Sequence, residues 1–215
     1  ITSAYVCHQL LLNPQLNILV VSASKNRADD FSTFTLRLIN EIDVLAHLKP
    51  REDQRQSKVS FDVKPARASH APSVKSLGIT GQLTGSRSDL VIADDVESAN
   101  NSATMGMRDK LSEQVKEFES ILKPQGRIIF LGTMQTEMSL YNVLPTRGYK
   151  QRIWTARYPT EKQLNNFGNT IAPFIRNSWS TEMIGKPTDA ERFDEEDLAK
   201  RHLSYGASGF NLQFM

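Results

Sequence analysis

The sequence predicts an α/β fold in which a mostly parallel sheet carries helices on both faces. Short runs of apolar and β-branched residues, typical of strands buried on both faces, occur at 17–23, 89–93 and 127–131. Longer segments with apolar residues at helical spacing separate these runs. Strands that alternate with helices are typical of βαβ units, whose crossovers produce parallel strands.

The first 45 residues begin this alternation. Residues 2–13 predict a helix that ends before Pro14, because the residue before a proline is biased away from helical geometry. Residues 17–23 predict the first strand, and a longer helix follows it. Five apolar residues at spacings of three and four predict the buried face of that helix: Phe31, Phe34, Leu38, Ile42 and Leu45.

The middle of the chain predicts two more strands and a turn before the strand at 89–93. Residues 59–63 alternate apolar and polar side chains, residues 74–80 give another possible strand, and residues 81–85 predict a turn. The next helix is predicted from its apolar spacing: Met107, Leu111, Val115, Phe118 and Leu122. The Pro-Gln-Gly sequence at 124–126 is predicted to end it.

The remaining elements are a helix near 137–145, a strand near 150–155 and an acidic helix over 189–205. Because the pattern weakens beyond Pro159, we place a domain boundary near residue 158. Residues 1–158 form the predicted α/β core, and residues 159–215 form a smaller linker subdomain.

Composition excludes several classes of protein. The 215 residues are 39% hydrophobic and 23% charged, and no apolar run approaches the ~20 residues of a membrane span. The single cysteine, Cys7, excludes an internal disulfide framework, and the four histidines show no zinc-ligand spacing. The net charge of +2 is too small to indicate nucleic-acid binding. Trp154 and Trp179 are expected in the core.

Three acidic residues after the strand at 89–93 carry the strongest chemical signal. Ligands of open α/β sheets bind at the carboxyl ends of strands. There Asp94 could hold Mg²⁺, and Asp95 could orient or deprotonate a water that attacks a γ-phosphate. This is the logic of a Walker B motif, with a strand-ending turn as the alternative. Adjacent acids serve one site only if the strand ends and the backbone turns there.

Weaker candidates flank this motif. Thr133 and Gln135 follow the strand at 127–131 and could contact a γ-phosphate or its attacking water, unless the segment is a plain turn. Arg87 could stabilise phosphate charge, with a surface arginine as the alternative. Lys25 and Arg27 could contact nucleotide or DNA, or their segment could simply begin a helix.

No Walker A sequence, GxxxxGK[ST], occurs in the chain. A phosphate loop of this kind lies between a strand and a helix, and here the first predicted helix begins at the first residues. The chain also begins with Ile1 rather than Met, and no glycine precedes Gly78. We therefore expect a fragment that begins just after a phosphate loop.

Several motifs, in the same order along the chain, resemble those of one protein family. The segments at 84–97, 126–142 and 152–160 resemble the ATPase half of bacteriophage terminase large subunits, most closely those of short-tailed phages. Residues 1–14 resemble the helix after the phosphate loop in that family, and residues 192–215 resemble the connection to its nuclease domain.

The resemblance implies a P-loop NTPase fold (RecA/ASCE-like), truncated at its N-terminus, within an ATP- and Mg²⁺-dependent motor. Such motors move double-stranded DNA into a procapsid as a homo-oligomeric ring, with a portal protein and a small terminase subunit as partners. They act in the host cytoplasm, docked transiently on the procapsid, and carry an endonuclease in a C-terminal domain. The fragment alone is expected to hydrolyse ATP very poorly.

The resemblance also implies roles for individual residues. Asp94 takes the metal position, and Thr133 belongs to the motif that couples hydrolysis to movement. Asp95 stands where the family usually has a catalytic Glu, so Glu97 is an alternative catalytic acid. Other readings remain: a helicase-like DNA translocase, a nuclease metal site, or a degenerate ATPase-like module without activity.

Overall fold

The computed structural model describes residues 1–215. The chain divides into two compact units, Ile1–Gly132 and Thr133–Met215. The predicted boundary near residue 158 falls inside the second unit, and the division into an ATPase core and a linker stays a prediction. None of the helices combines the length and apolar character that crossing a membrane requires.

The first unit holds all five strands of the sheet and four helices. In chain order these elements are α1 (Thr2–Leu12), β1 (Ile18–Ser22), α2 (Lys25–Glu41), β2 (Ser60–Phe61), β3 (Val74–Gly78), β4 (Ser88–Asp94), α3 (Ala99–Ser102), α4 (Met105–Ile121) and β5 (Leu122–Leu131). A 3₁₀ helix, Asp43–Leu48, follows α2.

The sheet has the strand order β2-β3-β1-β4-β5. The pairs of β1 with β3, β1 with β4, and β4 with β5 are parallel, and only the two-residue strand β2 is antiparallel to its neighbour. In this register Ser22 lies opposite both Gly78 and Asp94, and Asp94 lies opposite Leu131. Four strands therefore end at one edge, which confirms the predicted α/β fold with a mostly parallel sheet.

Helices cover both faces of this sheet. Val20 and Ile92 point to the face where α1 and α2 pack, in a core that also contains Cys7. Burial raises the pKa of the Cys7 thiol to about 11. The opposite face is covered by α4, whose Phe118 ring centroid lies 5.9 Å from that of Phe130 on β5. Alternate residues of these strands are therefore buried on opposite sides.

The predicted face of the second helix is wrong in part. The helix ends at Glu41, before two of its predicted face residues, and Phe34 is 52% exposed. Ser32 and Thr35 are buried instead, because each hydroxyl is hydrogen-bonded: Ser32 to the Ser76 hydroxyl at 2.6 Å, and Thr35 to the Phe31 carbonyl at 2.8 Å. Satisfied hydroxyls can occupy core positions that a purely apolar pattern does not identify.

The strand after α4 also differs from the prediction. The Pro-Gln-Gly sequence does not separate the helix from the strand, because α4 ends at Ile121 and β5 begins at Leu122. Residues 123–126 form an irregularity opposite Asp89, where Gln125 adopts a φ of 65°. The residues of β5 are half-buried or exposed rather than buried, because β5 lies at the edge of the sheet.

This irregularity brings a lysine to the amino ends of the central strands. Lys123 Nζ lies 2.9 Å from Asp89 Oδ2 and donates to Asn17 Oδ1 at 2.5 Å. Asp89 Oδ2 also accepts from the Asn17 backbone N–H at 2.8 Å. The three residues therefore join the starts of β1, β4 and β5.

Asp89→Ala is expected to lower the free energy of unfolding by about 1–3 kcal/mol, because it leaves a backbone donor and an ammonium group without their acceptor. Denaturant titration would measure the change. The matched control is Asp53→Ala, since Asp53 is 74% exposed in its pair with Arg51 and such surface pairs contribute little. Equal effects of the two substitutions would contradict the role of the Asp89 network.

The second unit is mainly helical. Its helices are α5 (Leu140–Val143), α6 (Glu161–Phe167), α7 (Pro173–Ser178) and α8 (Glu195–Phe214). The predicted strand near 150–155 is wrong, because only Ile153 forms a β-bridge, with Ile171. The predicted acidic helix starts later and runs further, with non-helical geometry at Gly206.

Candidate functional site

Asp94 is the last residue of β4, at the edge where the parallel strands end. Its carboxyl group is half-buried. Burial raises the pKa of Asp94 above its ordinary value, the neighbouring Asp95 carboxylate also raises it, and a hydrogen bond with the Thr2 side chain lowers it. Thr2 is the first residue of α1, so this helix begins beside the carboxyl end of β4.

Asp95 turns the chain away from the sheet. It adopts a φ of 49°, and its backbone N–H donates to the Leu131 carbonyl at 2.9 Å. Its exposed carboxylate lies 3.6 Å from Arg27 Nη1 of α2. The strand therefore ends and the backbone turns between the two acids, which is the condition under which Asp94 and Asp95 can serve one site.

Glu97 has a different environment from Asp95. Its exposed fraction is only 3%, and it lies between buried Val96 and Ser98, which caps the short helix α3. The side chain of Asp95, by contrast, is 52% exposed. Of the two acids, Asp95 is the one whose carboxylate is exposed to solvent.

The start of α2 is held close to this edge by Gly78. The structure places the backbone of Ser24 and Lys25 so near to Gly78 that an added Cβ would lie 2.8 Å from the Lys25 nitrogen. The Ser24 side chain accepts a hydrogen bond from the Arg27 backbone and caps the helix. The absence of a side chain at Gly78 thus lets α2 begin where Arg27 can reach Asp95.

Gly78→Ala is expected to destabilise the first unit by about 1–3 kcal/mol, because two backbone segments must move apart to accept the methyl group. Thermal unfolding followed by circular dichroism would measure this change. Gly106→Ala is the control: Gly106 lies in α4 with no atom within 4 Å of an added Cβ, so alanine should be neutral or stabilising there. A Gly78→Ala protein as stable as the control would show that α2 moves without cost.

Thr133 and Gln135 follow β5 in the chain and belong to the second unit. Thr133 is exposed, and the Gln135 side-chain amide donates to the Thr133 carbonyl at 3.3 Å. The two residues are therefore local neighbours, and their predicted role in phosphate sensing stays a prediction.

Arg87 does not lie at the carboxyl ends of the strands, where Asp94 lies. It precedes β4, a strand of seven residues, so it lies at the opposite edge of the sheet, ~20 Å away at ~3.3 Å per residue. Its guanidinium donates to the Ser120 carbonyl at 3.2 Å. With Lys75 and Lys123 it lines a cavity of about 300 Å³. Its predicted phosphate contact therefore does not arise beside Asp94 within this chain.

Sequence reasoning missed Thr2 as a member of the site. The only available signal was its position at the start of a helix expected to follow a phosphate loop. The segment with Lys25 and Arg27 was identified, and the structure selects Arg27 as the residue beside Asp95. Lys25 pairs instead with Asp29 of its own helix, at 3.3 Å.

Comparison with known proteins identifies a relative of the chain. No protein-family model matches the chain. The terminase large subunit of Enterobacteria phage T3 is 53% identical to it across 222 aligned positions, which include 100% of the chain. The chain is homologous over its whole length to part of a terminase large subunit. It spans 38% of the length of that relative. The resemblance to terminase large subunits is thereby confirmed.

Proposed function

We propose that the first unit forms part of the ATP-hydrolysing site of a phage DNA-packaging motor. The observation that carries this proposal is the placement of Asp94 and Asp95 at the carboxyl end of a central parallel strand, beside the first turns of α1 and α2. Open α/β sheets bind ligands at this edge. The relationship to a terminase large subunit supports packaging over the alternative translocases.

The residues at this edge fit Mg²⁺. Asp94 offers a half-buried carboxylate and Thr2 an adjacent hydroxyl, and hard Mg²⁺ prefers oxygen ligands. No group of three or more His, Cys, Asp or Glu side chains is placed to hold a metal. Mg²⁺ commonly binds through one or two carboxylates, waters and substrate phosphates, and does not need such a group. When bound, it would neutralise charge on the transferred phosphate.

In this proposal each residue of the site has a separate role in hydrolysis. Asp94 holds the metal and Thr2 keeps the Asp94 carboxylate oriented. Asp95 accepts a hydrogen bond or a proton from the water that attacks the γ-phosphate, a role that its exposed carboxylate can fill. Arg27, whose Nη1 lies 3.6 Å from Asp95 Oδ2, helps to position the Asp95 carboxylate. The 215 residues contain no GxxxxGK[ST] motif, so the proposal assigns no phosphate-loop residue among them.

The proposed partners follow from the packaging role. They are double-stranded DNA, a portal protein, a small terminase subunit and further copies of the same protein in a ring. The proposed place of action is the host cytoplasm, on the procapsid.

The proposed function is tested by phosphate release from ATP, measured with the complete protein that contains these residues. Hydrolysis is expected to require Mg²⁺, to stop when EDTA removes the metal and to return when Mg²⁺ is restored. The absence of hydrolysis, or hydrolysis that continues in EDTA, would contradict the proposal. Ca²⁺ added at equal concentration is the control for a general effect of divalent ions on stability.

A further inference from the structure

Two aromatic side chains of the second unit stack on each other in solvent. Trp154 is 67% exposed and Phe174 is 55% exposed. Their ring centroids lie 6.3 Å apart, with 19° between the ring planes. The expectation that Trp154 is a core residue is therefore wrong, whereas Trp179 is partly buried and donates from Nε1 to the Pro159 carbonyl. Exposed aromatic pairs of this kind often mark binding surfaces.

The pair is held in place by ordered backbone. Ile153 donates to the Thr170 carbonyl at 2.7 Å and accepts from the Ala172 N–H at 2.8 Å, which fixes the chain on one side of Trp154. Phe174 lies in the first turn of α7, whose Ile175 is fully buried. The rings are therefore attached to a small folded core. A ligand that contacts them should lose little free energy in ordering the backbone that carries them.

The stretch of chain that carries the pair is rich in basic residues. Residues 147–176 contain six lysines and arginines and one acidic residue, whereas residues 182–197 contain seven acidic residues. Arg157 is committed to Glu195, with N–O distances of 2.6 and 2.8 Å. Arg152 and Arg176 form no ion pair.

The two arginines without ion pairs donate to neighbouring backbone carbonyls. Arg152 donates to the Asn169 carbonyl at 3.2 Å, and Arg176 donates to the adjacent Gly168 carbonyl. A guanidinium has five N–H donors, so each retains donors for a phosphate. We call Arg152, Trp154, Phe174 and Arg176 the aromatic-basic surface.

We propose that the aromatic-basic surface binds single-stranded DNA. Exposed rings in a segment rich in arginine and lysine match a strand with unpaired bases, because bases can stack on the rings while phosphates of the same strand contact the arginines. Duplex DNA offers the phosphates but keeps its bases stacked inside, so the rings would gain little from it. The choice of DNA over RNA rests on the proposed packaging function. The binding of a single strand by the aromatic-basic surface does not require an active ATPase site.

The test is binding of a fluorescein-labelled oligothymidylate to the 215-residue chain, without nucleotide, by fluorescence anisotropy. The double substitution Trp154→Leu with Phe174→Leu is expected to weaken binding about tenfold or more, the range for lost base stacking. Arg152→Ala and Arg176→Ala should each weaken binding and reduce the dependence of log Kd on log salt by about 0.7. Binding without nucleotide keeps this test separate from failure of the proposed ATPase.

Two controls make the result specific. Leu203→Ala removes an apolar side chain that is 85% exposed elsewhere in the unit, and should leave the DNA affinity unchanged. Oligothymidylate should quench the tryptophan fluorescence of the original chain more than that of Trp154→Phe, which a purely electrostatic role would not produce. The proposal is overturned if the chain does not bind the strand, if the double substitution has no effect, or if a blunt duplex of equal length binds as tightly. Stronger binding of a matched oligouridylate would assign the surface to RNA and overturn the choice of DNA.

Discussion

Asp95→Asn in the complete protein is expected to slow ATP hydrolysis by about 10²–10⁴-fold, the usual contribution of a general base. The reason is geometric: Asp95 stands one residue beyond Asp94, the proposed metal ligand, its carboxylate is exposed, and Arg27 lies 3.6 Å from it. Asparagine keeps the shape of the side chain but cannot take a proton from water. Asparagine also tolerates the left-handed backbone that Asp95 adopts, so the turn should persist.

Glu97→Gln is the matched substitution for this prediction. Glu97 is 3% exposed, so replacing it should change the free energy of unfolding more than the rate of hydrolysis. Single-turnover phosphate release and binding of a fluorescent ATP analogue would separate the chemical step from nucleotide binding. If Glu97→Gln abolishes turnover and Asp95→Asn does not, the catalytic acid is Glu97 and the proposed role of Asp95 is wrong.

The sheet was predictable because its signal is local. Each central strand is a continuous run of apolar β-formers, and such runs are typical of parallel strands buried on both faces. Burial along β5 was not predictable in the same way, because it depends on which strand lies beside it. The run RIIFL reads as a buried strand, yet β5 is at the edge of the sheet, where its residues stay half-buried or exposed.

The placement of Asp94 and Asp95 was predictable from one strand and the acids that follow it, whereas the placement of residues from other segments was less predictable. Asp94 and Asp95 are adjacent in sequence and at the end of a strand, so the fold places them without further information. Arg87 is close to them in sequence, but an extended strand carries it to the opposite edge. Thr2 is distant from Asp94 in sequence and meets it only through the packing of α1. Separation along the sequence is therefore a poor guide to whether Arg87 and Thr2 lie near Asp94.

Asp94→Asn in the complete protein is expected to reduce ATP turnover at millimolar Mg²⁺ by at least about a hundredfold, because it removes the carboxylate proposed to hold the metal. The loss should be accompanied by weaker Mg²⁺ affinity, and high Mg²⁺ should restore part of the activity. Asp95→Asn should not respond to added metal in this way. A Mg²⁺ titration of turnover for the two variants would show whether the acids have separate roles.

The stability of Asp94→Asn provides an independent check on this prediction. Burial raises the pKa of Asp94, so its ionised form is disfavoured in the folded state and costs free energy at neutral pH. Asparagine removes that charge and can still accept a hydrogen bond from Thr2. The variant should therefore unfold at the same temperature as the original protein or slightly higher. A lost activity with unchanged or increased Tm would mean that the carboxylate is kept for its chemistry, whereas a clear fall in Tm would mean that Asp94 holds the strand end together.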